Sequence, residues 1–280
     1  MMTPVQVPAS NLGLYLYCMT FPTCVPAVAG LAEAGVLGVD ERYPVTVLLA
    51  SEAIVAVVGQ VNISDFSETN LQNLSWLGKR AVQHEAVVAH MMAHATVLPV
   101  KFGSIFKTEA SLKSFLNRHH LDMVQALDSL QDKTEWSVKG YLAEAQARQM
   151  IAAEDPDIQA RRAALSTSPG VRYLQQKQLD ARIETALQAY VTRVAQDLQQ
   201  ALQPYAEASI PLRHHASTVT GRPDRMVFNS SFLLTSDGLT EFREALSIQQ
   251  NSLQKIGMSL ALNGPWPAYN FCPALSDVTS

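Results

Sequence analysis

The chain has 280 residues, of which 48% are hydrophobic and only 16% charged, with a formal net charge of -4. That apolar content excludes a disordered tail protein, and the mild acidic balance gives no electrostatic reason to attract phosphate backbones or an anionic membrane. A length above the usual single-domain mode of about 100 to 150 residues calls for two domains.

The N-terminal stretch carries no charge before Glu33, yet Pro4, Pro8, Pro22 and Pro26 interrupt it and no Lys or Arg precedes an apolar run. It therefore reads as neither a signal peptide nor a membrane span. Leu12–Thr20, with Tyr15 and Tyr17 in an apolar run, suits a buried strand, and a short helix over Val25–Ala34 follows. Val45–Ala50 and Ala53–Val61 are β-branched runs parted by two residues and read as a hairpin, the first run too continuously apolar for a sheet edge. From Thr69 to Ala93, Leu71, Leu74, Leu77, Ala81, Val88 and Met92 recur at steps of three or four, which predicts one amphipathic helix. Thr96–Phe106 returns to strand and turn chemistry, so residues 12–106 spell β-α-β-β-α-β, the split arrangement of a ferredoxin-like domain.

Thr108 is placed to cap a connector helix running to Leu130. Thr134–Leu142 is strand-like, and the polar segment Glu154–Ser168, with Pro156 inside it, is expected to loop out. Ser168-Pro169 is a good helix start, and Leu179, Ile183, Leu187, Tyr190, Val194, Leu198 and Leu202 hold a helical rhythm until Pro204. That rod is on the order of 45 Å long. Strands over Ile210–Thr220, Arg225–Thr235 and Met258–Asn263, with a helix capped by Asp237 running to Ile256, complete a second β-α-β-β-α-β series. The fold class is thus α+β, with two ferredoxin-like domains, the second modified by a long helix, joined by a connector helix. The expected domains are residues 1–132 and 133–280, the latter including an aromatic C-terminal tail. The two halves share topology without a sequence repeat.

Motifs for chemistry are sparse. His84-Glu85 lacks the second histidine of HExxH, and His90 and His94, one turn apart, have no third ligand and read as helix-face residues. The adjacent pairs His119-His120 and His214-His215 diverge on any regular element and read as surface residues. No G-x-S-x-G, P-loop or G-x-G-x-x-G occurs. Cys18, Cys24 and Cys272 form no CxxC pair; their odd count fits a reducing cytoplasm, and Cys18 and Cys24 read as core. Asp155 and Asp157 read as solvating charge, and Arg161, Arg162, Arg213, Arg222 and Arg225 lack interleaved aromatics, which argues against an RNA-binding sheet. No catalytic, cofactor or metal residue is assigned. The tail places Trp266, Tyr269 and Phe271 beside prolines, so these three are candidates for partner contact or for docking the tail on the body.

Several strings taken in order carry a resemblance: Leu14-Tyr15-Leu16-Tyr17, His84-Glu85, Thr96 to Phe106, Glu135 to Lys139, Arg172-Tyr173-Leu174 and Gly264 to Phe271. Together they resemble the gas vesicle protein F/L family (GvpF/GvpL) over about residues 12–271. Val100-Lys101 stands where members more often have Phe-Arg, and Ala268 where they have a second proline. The resemblance implies an accessory component of gas vesicle formation in the cytoplasm or on the vesicle, with two α+β domains and no catalytic residues. It further implies binding to the main shell protein and to other accessory proteins, with no cofactor, nucleic acid or membrane. Two competing readings carry their own expectations. A ligand binder or enzyme with an interdomain site requires pKa-shifted groups in a polar pocket, with His84 and Glu85 as candidates; RNA binding requires salt-dependent affinity.

Overall fold

The computed structural model describes residues 11–214 and 223–275. The end of the expected strand beyond His214, together with His215 and Arg222, lies outside them. By their internal contacts the described residues form two compact units, one drawn from Met1–Asp132 and Trp266–Ser280, the other from Lys133–Pro265.

The first unit begins with β1 (Leu12–Thr20), α1 (Val25–Glu33), β2 (Val45–Leu49) and β3 (Val55–Asn62). It continues through α2 (Glu68–Gln72), α3 (Leu74–Met92), β4 (Val97–Pro99), β5 (Ile105–Phe106), α4 (Glu109–Arg118) and α5 (His120–Leu130). The sheet order is β2-β3-β1-β4, with β5 also on β1 and every pairing antiparallel. That is the strand order a β-α-β-β-α-β chain produces when its helices share one face. The core joins Tyr15, Tyr17 and Val57 of the sheet to Leu31 of α1 and to Val87, Val88 and Met91 of α3.

Three sequence expectations need correction here. β2 is an edge strand after all: α1 covers only part of it, so Val45 and Val47 are half-buried while Leu49 is 63% exposed. The helix expected over Thr69–Ala93 breaks at Asn73, whose side chain accepts the Ser75 and Trp76 N–H groups and restarts the helix. Its buried face is His84, Val87, Val88 and Met91, and Leu74 points outward. The connector likewise splits at His119; Thr108 and Ser111 form a capping box at its start, and α5 packs against β4.

The second unit comprises β6 (Lys133–Leu142), α6 (Glu144–Glu154), α7 (Pro156–Ala163), α8 (Pro169–Leu202), β7 (Ala208–Pro211), β8 (Arg225–Thr235), α9 (Gly238–Leu253) and β9 (Met258–Trp266). The order β7-β8-β6-β9 repeats that of the first sheet. The buried side of α8 is Leu179, Ile183, Leu187, Val194, Leu198 and Leu202, and its 34 residues span roughly 51 Å. The segment expected to loop out is mostly helical, because Asp155 accepts the Asp157 and Ile158 N–H groups and Pro156 takes the first position, where no N–H is needed. Neither Ser168 nor Asp237 caps through its side chain; the Gly238 N–H donates to Thr235 Oγ1 instead. β9 runs three residues past Asn263, and the described residues after it, 267–275, assigned above to the C-terminal domain, group with the first unit.

Candidate functional site

The tail joins the first unit through a polar cluster set in aromatic rings. β1 delivers Tyr15 and Tyr17, α3 delivers His84 one turn before its apolar contacts, the turn after β4 delivers Phe102 and Gly103, and the tail delivers Tyr269. Tyr15 Oη lies 3.0 Å from His84 Nδ1, and His84 Nε2 lies 3.1 Å from Tyr269 Oη. The Tyr269 hydroxyl donates to Glu85 Oε2 at 3.0 Å, and the Gly103 N–H donates to Tyr15 Oη at 3.0 Å. Tyr17 stacks on the His84 ring with centroids 5.7 Å apart and accepts the Val39 N–H at 2.8 Å, and Phe102 meets His84 edge-on.

These bonds have one consistent polarity. Tyr269 gives its proton to Glu85, so its oxygen accepts from His84 Nε2–H; Nδ1 is then the acceptor for the Tyr15 hydroxyl, whose oxygen takes the Gly103 N–H. That chain requires a neutral imidazole. Burial supplies it: His84 is 3% exposed and its pKa is pushed down to about 4, with a backbone interaction at Val100 offsetting a part. Burial raises the Tyr15, Tyr17 and Tyr269 hydroxyls and raises Glu85, the last held back in part by the Tyr269 bond. Both imidazole nitrogens are spent on protein hydroxyls, so the ring offers no lone pair to a substrate. Two of these bonds hold Tyr269.

Two grooves flank it. One of about 590 Å³ runs between Leu98–Ser104 and the tail from Tyr269 to Leu275. The other, of about 680 Å³, is lined by Ile63, Phe66, Leu71, Leu77, Phe102 and Ile105. Leu77 is the α3 residue that lines it; on the same helix Leu74 is 83% and Val82 70% exposed, about two turns apart, with open space about Gly78 between them. Tyr173 and Leu174, in one of the strings that carry the resemblance, are also exposed, near the start of α8. A third groove, of about 480 Å³, lies in the second unit between α8 and the β7–β8 edge.

Of the three tail candidates, Tyr269 is fastened as described, Phe271 is half-buried in a short turn, and Trp266 is 46% exposed. His90 bonds the Ala27 carbonyl and His94 the His90 carbonyl. His119 is not a surface residue, since its ring packs on Phe115 with centroids 5.0 Å apart and its side chain is 12% exposed. Cys18 and Cys24 are core. Asp155 is a helix cap and Asp157 pairs with Arg161 and Arg182, so both carboxylates have structural partners. Among the described residues no group of three or more His, Cys, Asp or Glu is placed to hold a metal ion, and no helix is long and apolar enough to cross a membrane. The sequence marked His84-Glu85 and Tyr15-Tyr17 separately; their meeting with Tyr269 spans 184 residues or more and no local signal announced it.

Comparison with known proteins gives a consistent answer. Residues 13–273 match the family model described as gas vesicle synthesis protein GvpL/GvpF. Gas vesicle protein L of Streptomyces sp. (strain CB03234) is 27% identical over 92% of this chain and 91% of its own length. Gas vesicle protein L1 of Halobacterium salinarum is 26% identical over 93% and 90%. The crystal structure of gas vesicle protein GvpF from Anabaena sp. PCC7120 superposes with a TM-score of 0.69 at 19% identity, covering 93% of this chain and 98% of that one, a likeness of fold.

Proposed function

Because the chain belongs to the gas vesicle synthesis protein GvpL/GvpF family, we propose that it works by protein–protein contact, binding the main shell protein and other accessory proteins while the vesicle is built. Membership places it in gas vesicle formation. The finer reading is supported best by one observation: α3 displays Leu74 and Val82 to solvent at 83% and 70%, and Leu77 of the same helix lines a groove of about 680 Å³. Large apolar side chains aligned on a helix face next to a groove mark a contact surface more often than a stray exposed leucine does. Trp266, 46% exposed at the start of the tail, is a second contact in this reading, whereas Tyr269 serves to dock the tail.

The test is reconstitution. A gas vesicle gene set supplied with this chain as its only member of the family is expected to form vesicles visible by electron microscopy, and the set without it to form none. Equal yields with and without the chain would refute the reading.

A further inference from the structure

A strand at the end of a sheet presents a row of unpaired N–H and C=O groups, and folded proteins blunt such edges with proline, charge, a bulge or very short length. Among the described residues, β4 and β5 keep one side of the first sheet to three and two residues, with Pro99 in β4. The edges of the second sheet carry Pro211 in β7 and Pro265 in β9. β2 has none of these devices. Its sequence Val45-Thr46-Val47-Leu48-Leu49 holds no proline, the nearest charged residues are Arg42 and Glu52, and its register on β3 runs without a bulge. The Ala50 N–H donates to the Ile54 carbonyl, one step beyond the Leu49–Val55 pair, so by the alternation of an antiparallel ladder Leu48 and Thr46 also turn their backbone groups to β3. Val45, Val47 and Leu49 therefore turn theirs outward.

We propose that β2 pairs with β2 of a second copy of this chain, antiparallel about a two-fold axis at Val47, so that the first sheets of the two copies join edge to edge. The strand is self-complementary in that register. Val47 faces its counterpart and Val45 faces Leu49 of the second copy, so each outward N–H meets an outward C=O. Val45, Val47 and Leu49 also share one face of the sheet, which brings Leu49, 63% exposed, against the second copy's half-buried Val45. An axis at Thr46 would leave Leu49, and one at Leu48 would leave Val45, with no strand residue opposite. The first charged residues beyond the strand, Arg42 and Glu52, fall opposite each other across the axis and have opposite signs. The pairing uses no residue of the α3 contact face and does not rest on that reading. A five-residue strand buries well under the about 1,000 Å² of a stable interface, so the dimer is weak, with a dissociation constant on the order of 100 μM.

The test is sedimentation velocity of the full chain from about 5 to about 500 μM, with hydrogen exchange followed at both ends of that range. Wild type is expected to pass from monomer to mostly dimer, and the Val45, Val47 and Leu49 amides to exchange about threefold more slowly at the higher concentration. Leu49→Lys sets a charge against Val45, and Leu49→Pro removes an outward donor without touching a bond to β3. Each is expected to raise the dissociation constant at least about tenfold at an unchanged monomer fold. A wild type that stays monomeric throughout, dimerisation undiminished in both Leu49 variants, or a dimer whose three outward amides exchange as fast as the monomer's would overturn the proposal. Protection of those amides only on addition of the main shell protein would overturn it as well, by giving the edge to another partner.

Discussion

Tyr15 Oη lies 3.0 Å from His84 Nδ1 and accepts the Gly103 N–H at the same distance, so one phenol ties β1 to α3 and to the turn after β4. Removing that oxygen takes the partner from the buried His84 Nδ1 and from the part-buried Gly103 N–H. Tyr15→Phe is expected to lose roughly 2 to 4 kcal/mol of stability, since each buried group left unpaired costs about 1 to 3 kcal/mol. Urea unfolding measures it, and a loss below about 0.5 kcal/mol would mean that the hydroxyl bonds little in solution.

The same cluster sets a pH dependence with a definite sign. His84 titrates near 6.5 when unfolded and near 4 when folded, so between those values the unfolded chain holds a proton that the native one refuses. Stability therefore falls as pH drops below about 6.5, and the loss is complete below about 4, with a ceiling of about 3 kcal/mol. Subtracting the profile of His84→Gln cancels the carboxylates remote from the cluster. Parallel profiles for the two proteins across that window would contradict the assignment.

Gly264 occupies a left-handed conformation, φ 145°, and a Cβ there would sit 2.9 Å from both the Glu135 carbonyl and Trp136 Cδ2. The carbonyl is held in the sheet and the indole is anchored by its bond to Thr134, so neither yields cheaply. Gly264→Ala is expected to cost about 2 kcal/mol or more through strain and overpacking. A thermal midpoint unchanged from wild type would show that the strand accommodates the methyl group.

How far the fold was legible from sequence follows from which signals are local. Strand β8 and strand β1 were readable to the residue because β-branched and aromatic runs end at turn formers, and α8 because its apolar rhythm persists from Leu179 to Leu202, more than six turns. The break at Asn73 was hidden, since Leu71, Leu74 and Leu77 mimic a continuous helix while one asparagine side chain restarts it. α7 was mistaken for a loop because its polar surface carries a single buried residue, Ile158, and Pro156 reads as a breaker unless Asp155 is recognised as its cap. The cluster about His84 was the least legible. Its members come from β1, α3, the turn after β4 and the tail, and only tertiary packing brings them together.

The proposed contact with other gas vesicle proteins through Leu74 and Val82 of α3 can be measured by affinity capture of the co-expressed main shell protein. Wild type is expected to retain the shell protein, and Leu74→Asp/Val82→Asp to retain at least about tenfold less at an unchanged unfolding midpoint, since exposed substitutions move stability by only about 0.5 kcal/mol. No capture by the wild-type chain, or equal capture by the variant, would contradict the account.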